Sequence, residues 1–128
     1  MKLLLLLVAE LVIHDGRTNK ITAINLIEEF SSATFPAILV SPYVSVTFQK
    51  EEGDPSEREG YLVFKMGENE IGRSSFIIDF GALLRSRTVI ELNGIIIPEP
   101  GHVNVQVLLD EDLLGDWDIL VSQLSEEH

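Results

Sequence analysis

Between Gly101 and Leu109, Val103, Val105, Val107 and Leu109 alternate with His102, Asn104, Gln106 and Leu108. No other feature restricts so tightly what the chain can become. Side chains of an extended strand point to opposite faces in turn, so one face here is apolar and the other mostly polar. This is the pattern of an antiparallel strand buried on one side. A helix would spread the same valines around its circumference. The Pro98-Glu99-Pro100-Gly101 turn precedes the stretch and Asp110-Glu111-Asp112 follows it, so it reads as the centre of a three-strand meander over residues 89–121. Full burial of each valine is worth about 1.5–3 kcal/mol, which makes this strand a core element.

The remainder of the chain reads as more strands. Leu3 to Ile13 is apolar on both phases until Glu10, as in a strand covered on both sides. Leucine also favours helix, but His14 to Lys20 has turn composition and Ile21 to Ile27 resumes as strand, so the two segments form a hairpin. Asp15-Gly16 is expected to supply its positive φ. The start, Met1 to Ala9, imitates a signal peptide. Glu10 interrupts the apolar run, no Ala-x-Ala follows, and a bilayer span needs about 20 apolar residues. The segment is therefore read as a buried strand.

Glu28 to Phe35, ending at Phe35-Pro36, reads as a crossing between sheets. Ala37 to Gln49 reads as one strand, with Pro42 confining its start to an edge or bulge. Lys50 to Gly60 has the composition of a surface loop, and Tyr61 to Met66 and Ile71 to Phe80 form a hairpin around Gly67 to Glu70. Gly81 to Arg85 reads equally as a helical turn or a strand crossover, so residues 81–86 allow at most a helical turn. Asn93-Gly94 reads as a bulge in a continuous strand. In the last strand Leu113, Trp117, Ile119 and Val121 share one side, with Asp116 and Asp118 opposite. The expected architecture is one all-β domain over residues 1–121, a sandwich or barrel of eight or nine strands, followed by a polar tail over 122–128.

One resemblance runs along nearly the whole chain. After a hydrophobic first strand come His14-Asp15-Gly16 with Lys20 and Asn25, the Phe35-Pro36 pair, Leu92-Asn93-Gly94-Ile95, Pro100-Gly101-His102-Val103 and Leu114-Gly115. This order resembles a family of small bacterial proteins catalogued only as a domain of unknown function. The resemblance implies an immunoglobulin-like β-sandwich and carries over no activity and no catalytic residue. The chain departs from that pattern at His102, where an aromatic such as tyrosine is expected.

Charge and composition narrow the functional classes. With 21 acidic and 9 basic residues the formal net charge is −12, which repels phosphate backbones and anionic membranes. Arg73, Arg85 and Arg87, scattered among hydrophobic strands, are the only candidates for a basic patch. The expectation is no nucleic acid, no membrane and an attraction to basic protein partners. There is no cysteine, hence no disulfide framework, thiolate nucleophile or cysteine metal site, in keeping with the cytoplasm. No nucleophile elbow, phosphate loop, dinucleotide fingerprint, HExxH or EF-hand pattern occurs, so no catalytic residue and no cofactor is assigned.

The weak metal candidates are Asp110, Asp112 and Asp116, with Glu111 and Asp118 nearby. Calcium takes six to eight hard oxygens, which converging sandwich loops can supply. However, Leu113-Leu114 stand where polar ligands would be needed, and a solvated turn accounts for the same residues. His14, His102 and His128 show no ligand spacing and read as surface imidazoles. Trp117, Tyr43 and Tyr61 are the available sugar platform, but Trp117 is in phase with Ile119 and Val121 and reads as core. Two functions remain. One is a non-enzymatic interaction module working through protein contacts, with a homo-oligomer through sheet edges as one form. The other is a small hydrolase or sugar- or calcium-binding domain with a site assembled from end loops.

Overall fold

The computed structural model describes residues 1–125. His128 and the end of the expected tail lie outside them. Eleven strands run in chain order: β1 Lys2–Asp15, β2 Lys20–Leu26, β3 Glu29–Ser32, β4 Ala37–Leu39, β5 Tyr43–Gln49, β6 Glu57–Met66, β7 Asn69–Asp79, β8 Arg85–Glu91, β9 Ile95–Ile97, β10 Gly101–Leu109 and β11 Asp112–Gln123. They form a four-stranded sheet ordered β2-β1-β5-β8, a five-stranded sheet ordered β3-β11-β10-β6-β7 and a ribbon of β4 with β9. No helix of the described residues is long and apolar enough to cross a membrane.

The two large sheets pack face to face as a sandwich. Val8, Val44, Val46 and Phe48 of one interleave with Leu62, Phe64, Phe76, Ile78, Val103, Val105, Val107, Ile119 and Val121 of the other. Phe48 and Phe76 stack across the gap, ring centroids 6.4 Å apart. The alternation from Val103 to Leu109 thus buries its apolar phase as its period requires. If β1, β5 and β8 are lettered A, B and E, and β6, β7, β10 and β11 are C, C′, F and G, the sheets read A-B-E and C′-C-F-G. Among the described residues that is the immunoglobulin order without its D strand. Two additions depart from that scheme: β2 beyond β1, and β3 running parallel to β11.

The strand count exceeds the expected eight or nine for identifiable reasons. Ser41 adopts φ 42° just before Pro42, and the break divides the expected strand 37–49 into β4 and β5. β5 is therefore a central strand between β1 and β8, not an edge. The segment 28–35 does cross between sheets, but Glu29–Ser32 also add to the β11 edge. Asn93-Gly94 is not a bulge in one strand, because β8 ends in the four-stranded sheet while β9 pairs with β4. Gly94, at φ 55°, turns the chain between them. β10 is accordingly flanked by β11 and β6, not by β9, so the expected sequential meander gives way to a crossover.

Smaller corrections have equally local causes. Asn19, not Gly16, carries the positive φ of the first hairpin, at 57°, and its N–H donates to the Asp15 carbonyl at 2.8 Å. The loop expected over 50–60 ends sooner, since β6 begins at Glu57. A register shift where Val107 and Leu108 meet Gly115 and Leu113 turns Leu113 outward, 53% exposed, instead of toward Trp117. Ser122 and Gln123, expected in the tail, pair with Ser31 and Ser32. Residues 81–84 form a turn closed by the Leu83 N–H on the Phe80 carbonyl at 2.8 Å.

β1 is unusually long because it serves two partners, β5 along Lys2–Ala9 and β2 along Ala9–Asp15. Its second half and β2 fold back over the outer face of the four-stranded sheet. Leu7, Ala9, Ser45 and Thr47 point away from the sandwich interior, yet all are buried. Val12 clusters with Leu7 and Ala9, and Ile21, Ala23, Tyr43 and Val89 pack around them. At the tip, Arg87 donates from Nη1 to the Asn19 carbonyl at 2.9 Å and from Nε to Thr47 Oγ1 at 3.2 Å.

Candidate functional site

The acidic segment is drawn out along one hairpin. Asp110 occupies the β10–β11 turn at φ 55°, a region aspartate tolerates better than most residues, and it accepts from Arg58 Nη2 at 2.6 Å. Asp112 opens β11 opposite Leu109. Asp116 lies four residues on, about 13 Å along a strand, and accepts from Asn104 Nδ2 at 2.8 Å. Ligands of one calcium ion lie at about 2.3–2.6 Å from it, so the extended backbone holds Asp116 away from the turn. Among the described residues no three His, Asp or Glu side chains gather as a metal-holding group.

The histidines stay apart. His14 Nε2 bonds Asn19 Oδ1 at 2.8 Å inside the first hairpin. His102 Nδ1 meets Asp118 Oδ2 at 2.8 Å on the outer face of the five-stranded sheet. The aromatic candidates are separated too. Trp117 faces the core, half-buried, and donates its indole N–H to the Ile27 carbonyl at 2.7 Å, while Tyr43 joins the cluster under the hairpin arm.

Tyr61 lies outward beneath Arg73, whose guanidinium carbon is 5.6 Å from the ring centroid. Its hydroxyl donates to Glu59, and that bond holds the phenol above its ordinary pKa. Glu70 bonds Arg73 Nη2 at 2.8 Å, and the guanidinium holds the Glu70 carboxyl below the usual range. With Gln106 donating to Asn104 Oδ1 at 3.0 Å, this face is a ladder of side chains that satisfy one another. Arg85 and Arg87 are on β8, in the other sheet from Arg73, so the three arginines make no common patch.

The unsatisfied surface is apolar and lies elsewhere. On the outward side of the hairpin arm Leu11 pairs with Ile24 across the strands, and Leu26 continues that side. In the β4–β9 ribbon Ala37, Leu39, Ile95 and Ile97 turn inward, which forces Ile38 and Ile96, a direct cross-strand pair, outward. Ile38 is 58% exposed, Ile96 61% and Val40 75%. A cleft lined by Leu26, Phe30, Ile38 and Val40, with Glu10 and Glu29, joins the arm to the ribbon. A second depression, between Arg73, Glu91, Asn93 and Ile96, adjoins the ribbon's other side.

These residues escaped the sequence reading, although Ile95-Ile96-Ile97 carried a signal. A three-residue strand apolar on both phases needs cover on both faces, and a two-stranded ribbon covers one. The chain matches no family model and no curated protein sequence.

Proposed function

We propose that the protein is a non-enzymatic β-sandwich interaction module that acts through protein–protein contacts at the hairpin arm and the β4–β9 ribbon. The observation that carries this reading is the outward Ile38–Ile96 pair beside Val40, joined by a cleft to Leu26 of the arm. Single exposed apolar side chains are ordinary, but a contiguous apolar surface rimmed by polar residues marks a place where another surface is buried. The sandwich supplies rigid backing, since Leu39, Ile95 and Ile97 anchor the ribbon in the core.

The test is site-specific photo-crosslinking in the protein's own host, with benzoylphenylalanine at Ile38, at Ile24 and, as a control, at Gln106 on the polar face. The expected result is a discrete adduct from position 38 or 24 that the control position lacks. Equal patterns from all three positions, or none, remove the proposal. An adduct twice the mass of the chain identifies a second copy as the partner.

A further inference from the structure

The cleft at the end of β2, bounded by β3 and β4, has a volume of about 430 Å³. Its apolar wall is Leu26, Phe30, Ile38 and Val40, and among the described residues its only charged lining residues are Glu10 and Glu29. Asn25 donates from Nδ2 to Glu10 Oε2 at 3.0 Å, which positions that carboxylate. Among the described residues neither glutamate forms an ion pair with a lysine or arginine. Among the described residues β4 is paired along one edge only, to β9, so its other edge offers backbone donors and acceptors beside the cleft.

We propose that this cleft receives an extended segment of a basic protein partner, with apolar side chains against Leu26, Phe30, Ile38 and Val40 and Lys or Arg beside Glu10 and Glu29. The inference rests on the interaction-module reading and supplies the partner's chemistry. Charge selects this occupant over a second copy, because each copy carries a net charge of −12 and would bring acidic rims together. A basic segment is steered in and held at the correct register by the same carboxylates. The free β4 edge favours an extended chain, the geometry of strand addition. Apolar burial supplies the affinity, and the two glutamates discriminate among sequences.

Random peptides displayed on phage are selected on the full chain, with no selection step on the Glu10→Lys/Glu29→Lys double variant. Affinities of the selected peptides are then measured by fluorescence anisotropy. The expected winners carry two or more apolar residues flanked by Lys or Arg. Their binding weakens about tenfold or more in the double variant, and also at high salt. It is lost in Ile38→Ser, while the thermal midpoints stay within a few degrees because all three side chains are exposed.

Enrichment of neutral or acidic peptides, indifference to charge reversal, or no enrichment overturns the inference. So does sedimentation showing a dimer that Ile38→Ser dissolves. If Ile38 still crosslinks to a partner in the host, only the basic-segment inference falls. If crosslinking fails as well, the interaction-module reading falls with it.

Discussion

Replacing Ser45 with alanine should make this protein more stable, although serine-to-alanine changes on a sheet's outer face are ordinarily neutral. Ser45 lies on that face of the four-stranded sheet and is 0% exposed, because the hairpin arm of β1 and β2 covers it. Among the described residues its Oγ has no hydrogen-bond partner. A buried hydroxyl left without a partner costs about 1–3 kcal/mol of desolvation. Alanine removes that cost and leaves a void of only one oxygen, which returns a few tenths of a kcal/mol in lost dispersion contacts.

The expected net gain is about 1 kcal/mol, a rise of about 3–5 °C in thermal midpoint for a chain of this length and about 0.5 M in urea midpoint. Fluorescence of Trp117, the single tryptophan, reports the transition. Thr47→Val is the internal control. Thr47 is also buried beneath the arm, but its Oγ1 accepts from Arg87 Nε. Here an isosteric methyl removes a made hydrogen bond, and stability should fall by about 0.5–1.5 kcal/mol. If Ser45→Ala is neutral or destabilising, or if both changes act with the same sign, the arm does not seal that face and the account of the long first strand is wrong.

Other expectations follow from single contacts. Val105→Asp places a charge at a fully buried position and should cost more than about 4 kcal/mol. Gln106→Asp, on the wetted face opposite Asp116, should cost about 1 kcal/mol or less; equal losses in urea midpoint would refute the assignment of faces. In Gly60→Ala the new Cβ would stand 2.7 Å from Phe76 Cζ, costing about 1–3 kcal/mol, and Phe76→Leu in the same chain should recover part of the loss. Asp15 accepts the backbone N–H groups of Arg17 and Thr18 at 2.9 and 3.3 Å, and these bonds, Arg17's foremost, lower its pKa. A lowered folded-state value means the contribution is fully present above the ordinary carboxylate pKa and is lost as pH falls through the lowered one. The midpoint gap between the wild type and Asp15→Ala should therefore close in acid; a gap constant from neutral pH to pH 2 would contradict the turn geometry.

The residues of the turns and strands carried much of this fold without help from the tertiary structure. The period of two in β10, the hairpin of β1 with β2 and the tight turn at Gly67 follow from local rules of side-chain direction and backbone freedom, and all stand in the structure. So does the inward phase of Trp117, Ile119 and Val121. Misplaced elements share a different cause: they depend on which strand lies beside which. Nothing near Asn93 states that β9 will leave the sheet of β8 to meet β4. Nothing near Glu29 states that the four-residue stretch Glu29–Ser32 will add to the edge of β11.

The candidate site divides in the same way. The acidic run from Asp110 to Asp118 is plain in the sequence, but strand geometry spaces its carboxylates apart and gives Asp110 and Asp116 separate partners. The apolar surface at Leu26, Ile38, Val40 and Ile96 is built from three segments distant along the chain. By itself the sequence determined which residues can be inside and which outside, because periodicity and turn chemistry act within a few residues. Tertiary structure alone decided which apolar residues were left without cover, because burial depends on what arrives from elsewhere in the chain.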